Sequence, residues 1–257
     1  SGRSRFTLST LPASEFPAVE DSPNTLSFSL EQQQLKRLID AVSFSMAQQD
    51  VRYYLNGMLL EITPEFIRTG ATDGHRLALC TLQTAIEGAT ARQSILPRKG
   101  VMELVRFLAD SDAQVRVLLG SNHLRAQTDD FTFTTKLVDG KFPDYERVLP
   151  RGGGNLIQAV RQELRQAFAR AAILSNEKYR GVRLILEPSQ LTLVANNPEQ
   201  EEAEEIVTID YEGAGFEIGF NVSYLVDVLN ALGGDSVRIS LADANSSALV
   251  ESANNSD

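Results

Sequence analysis

Apolar residues recur along this chain with two periods, and the periods alternate twice in the same order. Leu26, Phe28 and Leu30 alternate with serines, the period-two pattern of a half-buried strand. Residues 34–46 switch to helical spacing, with Leu35, Leu38, Ile39, Val42 and Met46 on one face. Strand-like runs follow at 54–62, 66–72, 76–82 and 94–96. A helix starts at Pro97 with Val101, Leu104, Val105 and Leu108 inward, and 114–119, 123–127 and 131–137 read as strands. The series then restarts: a strand at 155–159, a helix over 161–174 with Leu164, Phe168 and Ala171 inward, and strands at 182–187, 190–195, 203–211 and 216–219. Asn221 is the expected N-cap of a helix carrying Val222, Leu225, Val226, Leu229 and Leu232 on one face. Strands at 236–241 and 247–251 close the series. Ahead of both, residues 1–19 predict a strand fragment (Phe6, Leu8) and a linker broken by Pro12 and Pro17.

The repetition is a duplication. Gly57 and Gly181 lie 124 residues apart, as do Asp73 and Asn197, and Val115-Arg116-Val117 precedes Val237-Arg238-Ile239 by 122. The first helices, aligned at Leu35 and Leu164, are 129 apart, so the first copy carries a loop five residues longer before Gly57. The pattern predicts an α+β fold of tandem duplicated units, each with two helices on antiparallel sheets. The turn-rich stretch containing Gly152, Gly153 and Gly154 marks the boundary, giving a leading piece over 1–19 and units over 20–150 and 151–257.

Charge changes the picture through its distribution. With 24 Lys+Arg against 34 Asp+Glu, the chain carries −10, a poor basis for gripping phosphates. Yet the four predicted helices hold Lys36, Arg37, Arg98, Lys99, Arg106, Arg161, Arg165 and Arg170 against five acids, so they are net positive on an acidic body. The fourth helix is the exception, with Asp227 and no cation. Such helices are either an ordinary charged surface or a surface that follows a nucleic-acid backbone without holding it. Glu199, Glu201, Glu202, Glu204 and Glu205 form the opposite concentration, either a solvated edge strand or a docking edge for a basic partner.

Candidate chemistry is sparse. Cys80 is the single cysteine, which excludes an intramolecular disulfide and a cysteine metal cluster and suits a reducing cytosol. No apolar run reaches the length of a membrane-spanning helix, and the first residues have no secretory apolar region. In ATDGHRLAL, Asp73 and His75 suggest an acid–base pair, but Gly74 implies a turn and no nucleophile or phosphate-loop motif accompanies them. A structural turn or a binding rim is the better reading. In QQDVRYYLNGML the tyrosines either pack or stack on bases, with a glutamine available to phosphate.

Seven segments in order carry a resemblance: QDVRYYLNGML, ATDGHRLA, PRKGV, KLVDGKFPDYERVLP, AFARAAILSNEKYRGVRL, ANNPEQEEAEEI and GFNVSYLVDVLNAL. Together they resemble the bacterial DNA polymerase III beta subunit, the replicative sliding clamps. The resemblance implies the last strand of a first clamp domain over residues 1–17, then the second and third clamp domains, ending before the family's C-terminal strand and tail. It implies a non-catalytic, cytoplasmic processivity factor with no cofactor and no metal, which as a head-to-tail homodimer encircles duplex DNA without sequence specificity. The basic helix residues would line the hole, and Gln49, Tyr53 and Tyr54 would touch DNA. A pocket for short peptides of the polymerase catalytic subunit, the clamp loader and other polymerases and repair proteins maps to Arg52, Leu55, Thr72, Gly74, His75, Arg76, Leu77, Pro143, Arg147, Val148, Asn221, Tyr224 and Ser247. Ile173 and Leu174 with the glutamate run would close the ring against a first domain that includes Arg3 and Arg5.

Overall fold

A computed structural model describes residues 2–15, 25–150 and 154–253. The first half runs β1 (Leu26–Glu31), α1 (Gln32–Ser43), β2 (Gly57–Ile62), β3 (Phe66–Thr72), β4 (Leu77–Gln83), β5 (Arg92–Pro97), α2 (Arg98–Phe107), β6 (Gln114–Leu119), β7 (His123–Gln127) and β8 (Thr132–Lys136). The second runs β9 (Asn155–Val160), α3 (Arg161–Ala171), β10 (Gly181–Glu187), β11 (Gln190–Asn196), β12 (Glu202–Thr208), β13 (Phe216–Asn221), α4 (Val222–Ala231), β14 (Ser236–Leu241) and β15 (Leu249–Ser252). All pairings are antiparallel.

The duplication is visible strand by strand. Sheet β4-β3-β2-β5 has its counterpart in β12-β11-β10-β13, and β1-β6-β7-β8 in the three strands β9-β14-β15. Backbone bonds at the joints repeat as well. Arg98 N–H donates to Asn56 O at 3.0 Å and Val222 N–H to Arg180 O at 2.7 Å, while Gln32 N–H donates to Ala113 O and Arg161 N–H to Asp235 O, both at 2.8 Å. These ties start each helix directly off the preceding strand. Asn221 caps α4 as expected, its Oδ1 accepting from Ser223 N–H at 2.9 Å.

Each half buries its own apolar set between helices and sheets. The first centres on Leu38, Ile39, Val42, Leu60, Ile67 and Val101, the second on Leu164, Phe168, Leu184, Leu193, Val222 and Leu229. Thr69 Oγ1 donates to Leu38 O at 2.6 Å within the first, satisfying a buried hydroxyl. Helix α1 packs on α2 and α3 on α4, and α1 touches α4, so the helices form one connected series α2-α1-α4-α3.

Three expectations are corrected. The run 54–62 is not all strand: Tyr53–Leu55 form a 3-10 turn, and β2 starts only at Gly57. Gly57 is needed there, since a Cβ would lie 2.5 Å from Leu96 O. Helix α1 stops at Ser43, and Met46 is buried from the turn beyond. Residues 2–15 contain no strand, and Phe6, Leu8 and Leu11 are exposed. Alternation makes a strand only against a partner edge, and none among the described residues lies beside them. The predicted linker beyond residue 15 and the glycines at 152 and 153 fall outside the described residues.

Candidate functional site

The outer face of sheet β4-β3-β2-β5, away from the helices, carries Leu79, Gly70, Leu59 and Ile95 in one cross-strand row and Leu77 with Thr72 in the next. The chain leaving β8 returns over this face. Phe142 and Tyr145 bury themselves on Leu59 and Ile95, and Tyr54, Leu77, Leu79, Val138 and Leu149 pack around them. Each such ring stabilises the arrangement by about 1.5–3 kcal/mol. The anchoring leaves Pro143, Arg147 and Val148 exposed on a segment that shares this apolar cluster with Leu77. Arg147 pairs with Asp144 at 2.7 Å, but both are open to water and the pair contributes little.

The β3–β4 turn supplies the rim. Asp73 Oδ1 accepts from His75 N–H at 2.9 Å and Arg76 N–H at 3.1 Å, and Thr72 Oγ1 donates to Arg76 O at 2.7 Å. Gly74 sits at φ +90°, backbone that a side chain strains. Asp73 therefore holds the turn, and its carboxylate bonds the backbone of His75 and not the imidazole, so the suggested acid–base pair is not assembled. Asn197 does the same at the β11–β12 turn, its Oδ1 accepting from Glu201 N–H at 2.9 Å. Equivalent positions of the repeat are thus equivalent turn caps. Behind Gly74, Arg52 is forked onto Asp50 at 2.8 and 3.0 Å. This hydrogen-bonded pairing holds the Asp50 carboxyl down at about 2.

Arg76 joins the halves. It donates to Asp227 Oδ2 on α4 at 2.5 Å, to Asp73 Oδ2 at 3.2 Å and to Phe44 O at 2.8 Å. Its guanidinium lies 4.4 Å from the Tyr224 ring centroid and 5.2 Å from that of Phe44. The His75 ring stacks on Tyr224 at 6.4 Å. So His75 and Arg76 meet Tyr224, and Arg76 is committed to a strap between halves. Leu55 is buried and offers no accessible wall, and Ser247 is exposed ahead of β15. The sequence reading missed Tyr145 as the anchor and Asp227 as the partner of Arg76. The lone acid on the one helix without cations was the available signal for Asp227.

The other candidates are distributed around this junction. Gln49 sits in left-handed backbone at φ 57°, and exposed Tyr53 meets Tyr54 edge-on at 5.9 Å. Tyr54 itself is half-buried in the Phe142 and Tyr145 cluster. The helix cations are more engaged than a charge count suggests. Lys36 pairs with Asp40 and Arg106 with Glu103. Arg98 donates to Met46 O, and Arg161 to Gly234 O and Leu229 O. Arg165 bonds Gln162 and Asn230. Arg37 and Lys99 are exposed. Arg170 is bidentate on Glu205 of β12 at 2.7 and 2.8 Å, which holds that carboxyl below its ordinary range.

Strand β12 pairs only with β11 among the described residues, so its outer edge is open. Glu202 and Glu204 are exposed along it, Ile206 is 61% exposed and Ile173 is 77% exposed, with Leu174 half-buried beside it. Glu199 is exposed in the preceding turn, where Glu201 accepts from the Asn197 amide. Arg3 and Arg5 are exposed in the irregular leading segment. A separate open depression of about 980 Å³ lies over β10 and β13, lined by Tyr179, Asn196, Phe220 and Asn245, and shares only Asn221 with the junction. By the repeat register its counterpart beside Ile95 is covered by Leu137 and Val138, whose N–H groups bond Asn122 O and Ile95 O. Among the described residues no group of three or more His, Cys, Asp or Glu is placed to hold a metal ion. Among the described residues no helix is long and apolar enough to cross a membrane.

Residues 29–144 match the DNA polymerase III beta subunit, central domain, and residues 146–257 its C-terminal domain. The chain belongs to the DNA polymerase III beta subunit family. It is 62% identical over 256 residues to the beta sliding clamp of Pseudomonas aeruginosa, covering 100% of this chain and 70% of that protein. It is 57% identical over 253 residues to that of Escherichia coli, covering 98% and 69%. The crystal structure of the Pseudomonas aeruginosa sliding clamp with ligand superposes with a TM-score of 0.94 over 100% of this chain and 70% of that one, at 62% identity. The C. crescentus clamp does so at 0.90 and 37% identity, with the same coverage. The fold is the sliding-clamp fold, and the family's role is that of a non-catalytic clamp subunit of the replicative polymerase.

Proposed function

We propose that this chain supplies the second (20–150) and third (151–257) domains of a cytoplasmic clamp that encircles duplex DNA as a head-to-tail dimer and tethers partners through the junction pocket. The observation that carries this reading is the meeting of rim residues from both halves, His75 and Arg76 with Tyr224, while Leu77 and the Phe142–Leu149 segment pack on one apolar cluster nearby in the first half. An apolar floor with a few polar groups at its edge suits a short extended peptide with Leu and Phe anchors. Peptides of this kind would come from the polymerase catalytic subunit, the clamp loader, and other polymerases and repair proteins. The connected helix series presents Lys36, Arg37, Arg98, Lys99, Arg106, Arg161, Arg165 and Arg170 to DNA, with Gln49, Tyr53 and Tyr54 at the rim of the hole. Because most of these cations already have partners, the surface is weakly attractive, which suits sliding. The open β12 edge with Ile173, Leu174 and the glutamates is the ring-closing surface for a first domain bearing Arg3 and Arg5.

Calorimetric titration with a Gln-Leu-x-Leu-Phe peptide tests the pocket. Binding is expected at about micromolar Kd, because few anchors are buried and the peptide must be ordered. Leu77→Ala should weaken it by roughly tenfold or more, the worth of one lost apolar contact. No heat with peptide at about millimolar concentration refutes the pocket.

A further inference from the structure

Pro143, Arg147 and Val148 stand on a segment with no strand or helix beyond the single 3-10 turn Tyr145–Arg147. Without ladder hydrogen bonds, such a segment is placed by side chains, and an apolar contact such as that of Phe142 is non-directional. Tyr145 is different. Its hydroxyl donates to Glu61 Oε2 at 2.6 Å and accepts from Arg68 Nη1 at 2.8 Å. Those two residues are the centre of a polar row running across the whole sheet. Arg68 Nε donates to Thr81 Oγ1 at 2.9 Å, Arg68 lies 3.6 Å from Glu61, and Gln93 Nε2 donates to Glu61 Oε1 at 2.8 Å. Thr81, Arg68, Glu61 and Gln93 are direct cross-strand neighbours on β4, β3, β2 and β5. The Arg68 guanidinium is itself held over the Phe66 ring at 4.7 Å.

Along the strands the outer face therefore reads as three rows: the polar row, the apolar row of Leu79, Gly70, Leu59 and Ile95, and then Leu77 with Thr72. The Tyr145 ring lies on the middle row while its hydroxyl reaches the first. One side chain thus sets both the height and the lateral position of the turn above the Leu77 floor. Burial and the neighbouring Glu61 push the hydroxyl above its ordinary range, which keeps the donor protonated.

We propose that Tyr145 is a positioning residue of the peptide pocket. Its hydroxyl, fastened between Glu61 and Arg68, fixes the wall formed by Pro143, Arg147 and Val148. The inference rests on the pocket reading above. It acts through preorganisation: a wall already in place spares the incoming peptide the cost of ordering it.

The test uses the 257-residue chain and the Gln-Leu-x-Leu-Phe peptide. Tyr145→Phe keeps the ring and removes both hydroxyl bonds, and it should raise Kd by about five- to tenfold through a faster off-rate. The same substitution in a Val148→Ala background should raise Kd by a clearly smaller factor than in the parent, because part of the positioned wall is already gone. In a Leu77→Ala background it should keep its full effect. A purely structural role would give the same factor in every background. Glu61→Ala, which leaves Tyr145 intact but removes its acceptor, is the second variant and should weaken binding in the same direction as Tyr145→Phe. If Leu77→Ala weakens binding while Tyr145→Phe and Glu61→Ala do not, the inference is overturned and the pocket stands. If the parent chain does not bind, or Leu77→Ala has no effect, both fall.

Discussion

Arg76 and Asp227 offer the sharpest quantitative prediction, because they connect two halves whose apolar cores are separate. The side chains are 20% and 40% exposed. Exposed ion pairs are worth about 0.2–1 kcal/mol, whereas stripping one partner from a buried pair costs about 3–5 kcal/mol. A pair at 2.5 Å with one member half open belongs near the lower range, so a coupling of about 1 kcal/mol is expected. Asp227→Ala leaves Arg76 its bonds to Asp73 and Phe44 O and its place over Tyr224, so it should cost about 1 kcal/mol. Arg76→Ala also deletes a charge-assisted bond to a backbone carbonyl and the ring contacts, raising the expected cost to about 2–3 kcal/mol. The assay is a double-mutant cycle by urea unfolding of Arg76→Ala, Asp227→Ala and the double variant, followed by tyrosine fluorescence since the chain has no Trp. The coupling should shrink by half or more in about 1 M salt, where the screening length is only about 3 Å. Additivity within about 0.3 kcal/mol at low salt would mean that the two side chains do not act on each other, and the strap between halves would be refuted.

Two further outcomes follow from burial and charge. Phe168, fully buried in the second core, should cost about 3–5 kcal/mol on replacement by Ala. Limited proteolysis should then cut within 155–253 while the first half resists; equal loss of both halves would show that they unfold as one unit. The Asp50 carboxyl, lowered to about 2 by Arg52, adds stability that is present above the ordinary carboxylate range and lost as pH falls from about 4 through about 2. A carboxyl-carbon NMR titration should show that low midpoint in the parent and a return to about 3.9 in Arg52→Ala, and a parent midpoint near 4 would rule out the fork.

Periodicity alone determined most of the secondary structure and the duplication, because strands and helices bury one face and leave that face written at period two or 3.6. Leu35, Leu38, Ile39 and Val42 announced α1, and their equivalents from Leu164 announced α3. Asn221 announced its cap, since a side-chain acceptor there satisfies amides that no other residue in the helix reaches. The 3-10 turn at Tyr53–Leu55 was illegible, because tyrosine and leucine suit a strand and the bonds that hold the turn, Asn56 to Asp50 and Ala47 N–H to Leu55 O, arise only in the fold. The leading segment shows the converse: alternating Phe6 and Leu8 carry a strand pattern, but a strand exists only as half of a pair. The family motifs named the rim residues, yet not what each does there. Arg76 as a strap to Asp227 and Tyr145 as the anchor of the wall join positions 77 to 151 residues apart. Hydrogen bonds of that reach leave no period in the chain. They depend on which cross-strand row a side chain occupies and on which half is folded against it, and only the tertiary structure decides both.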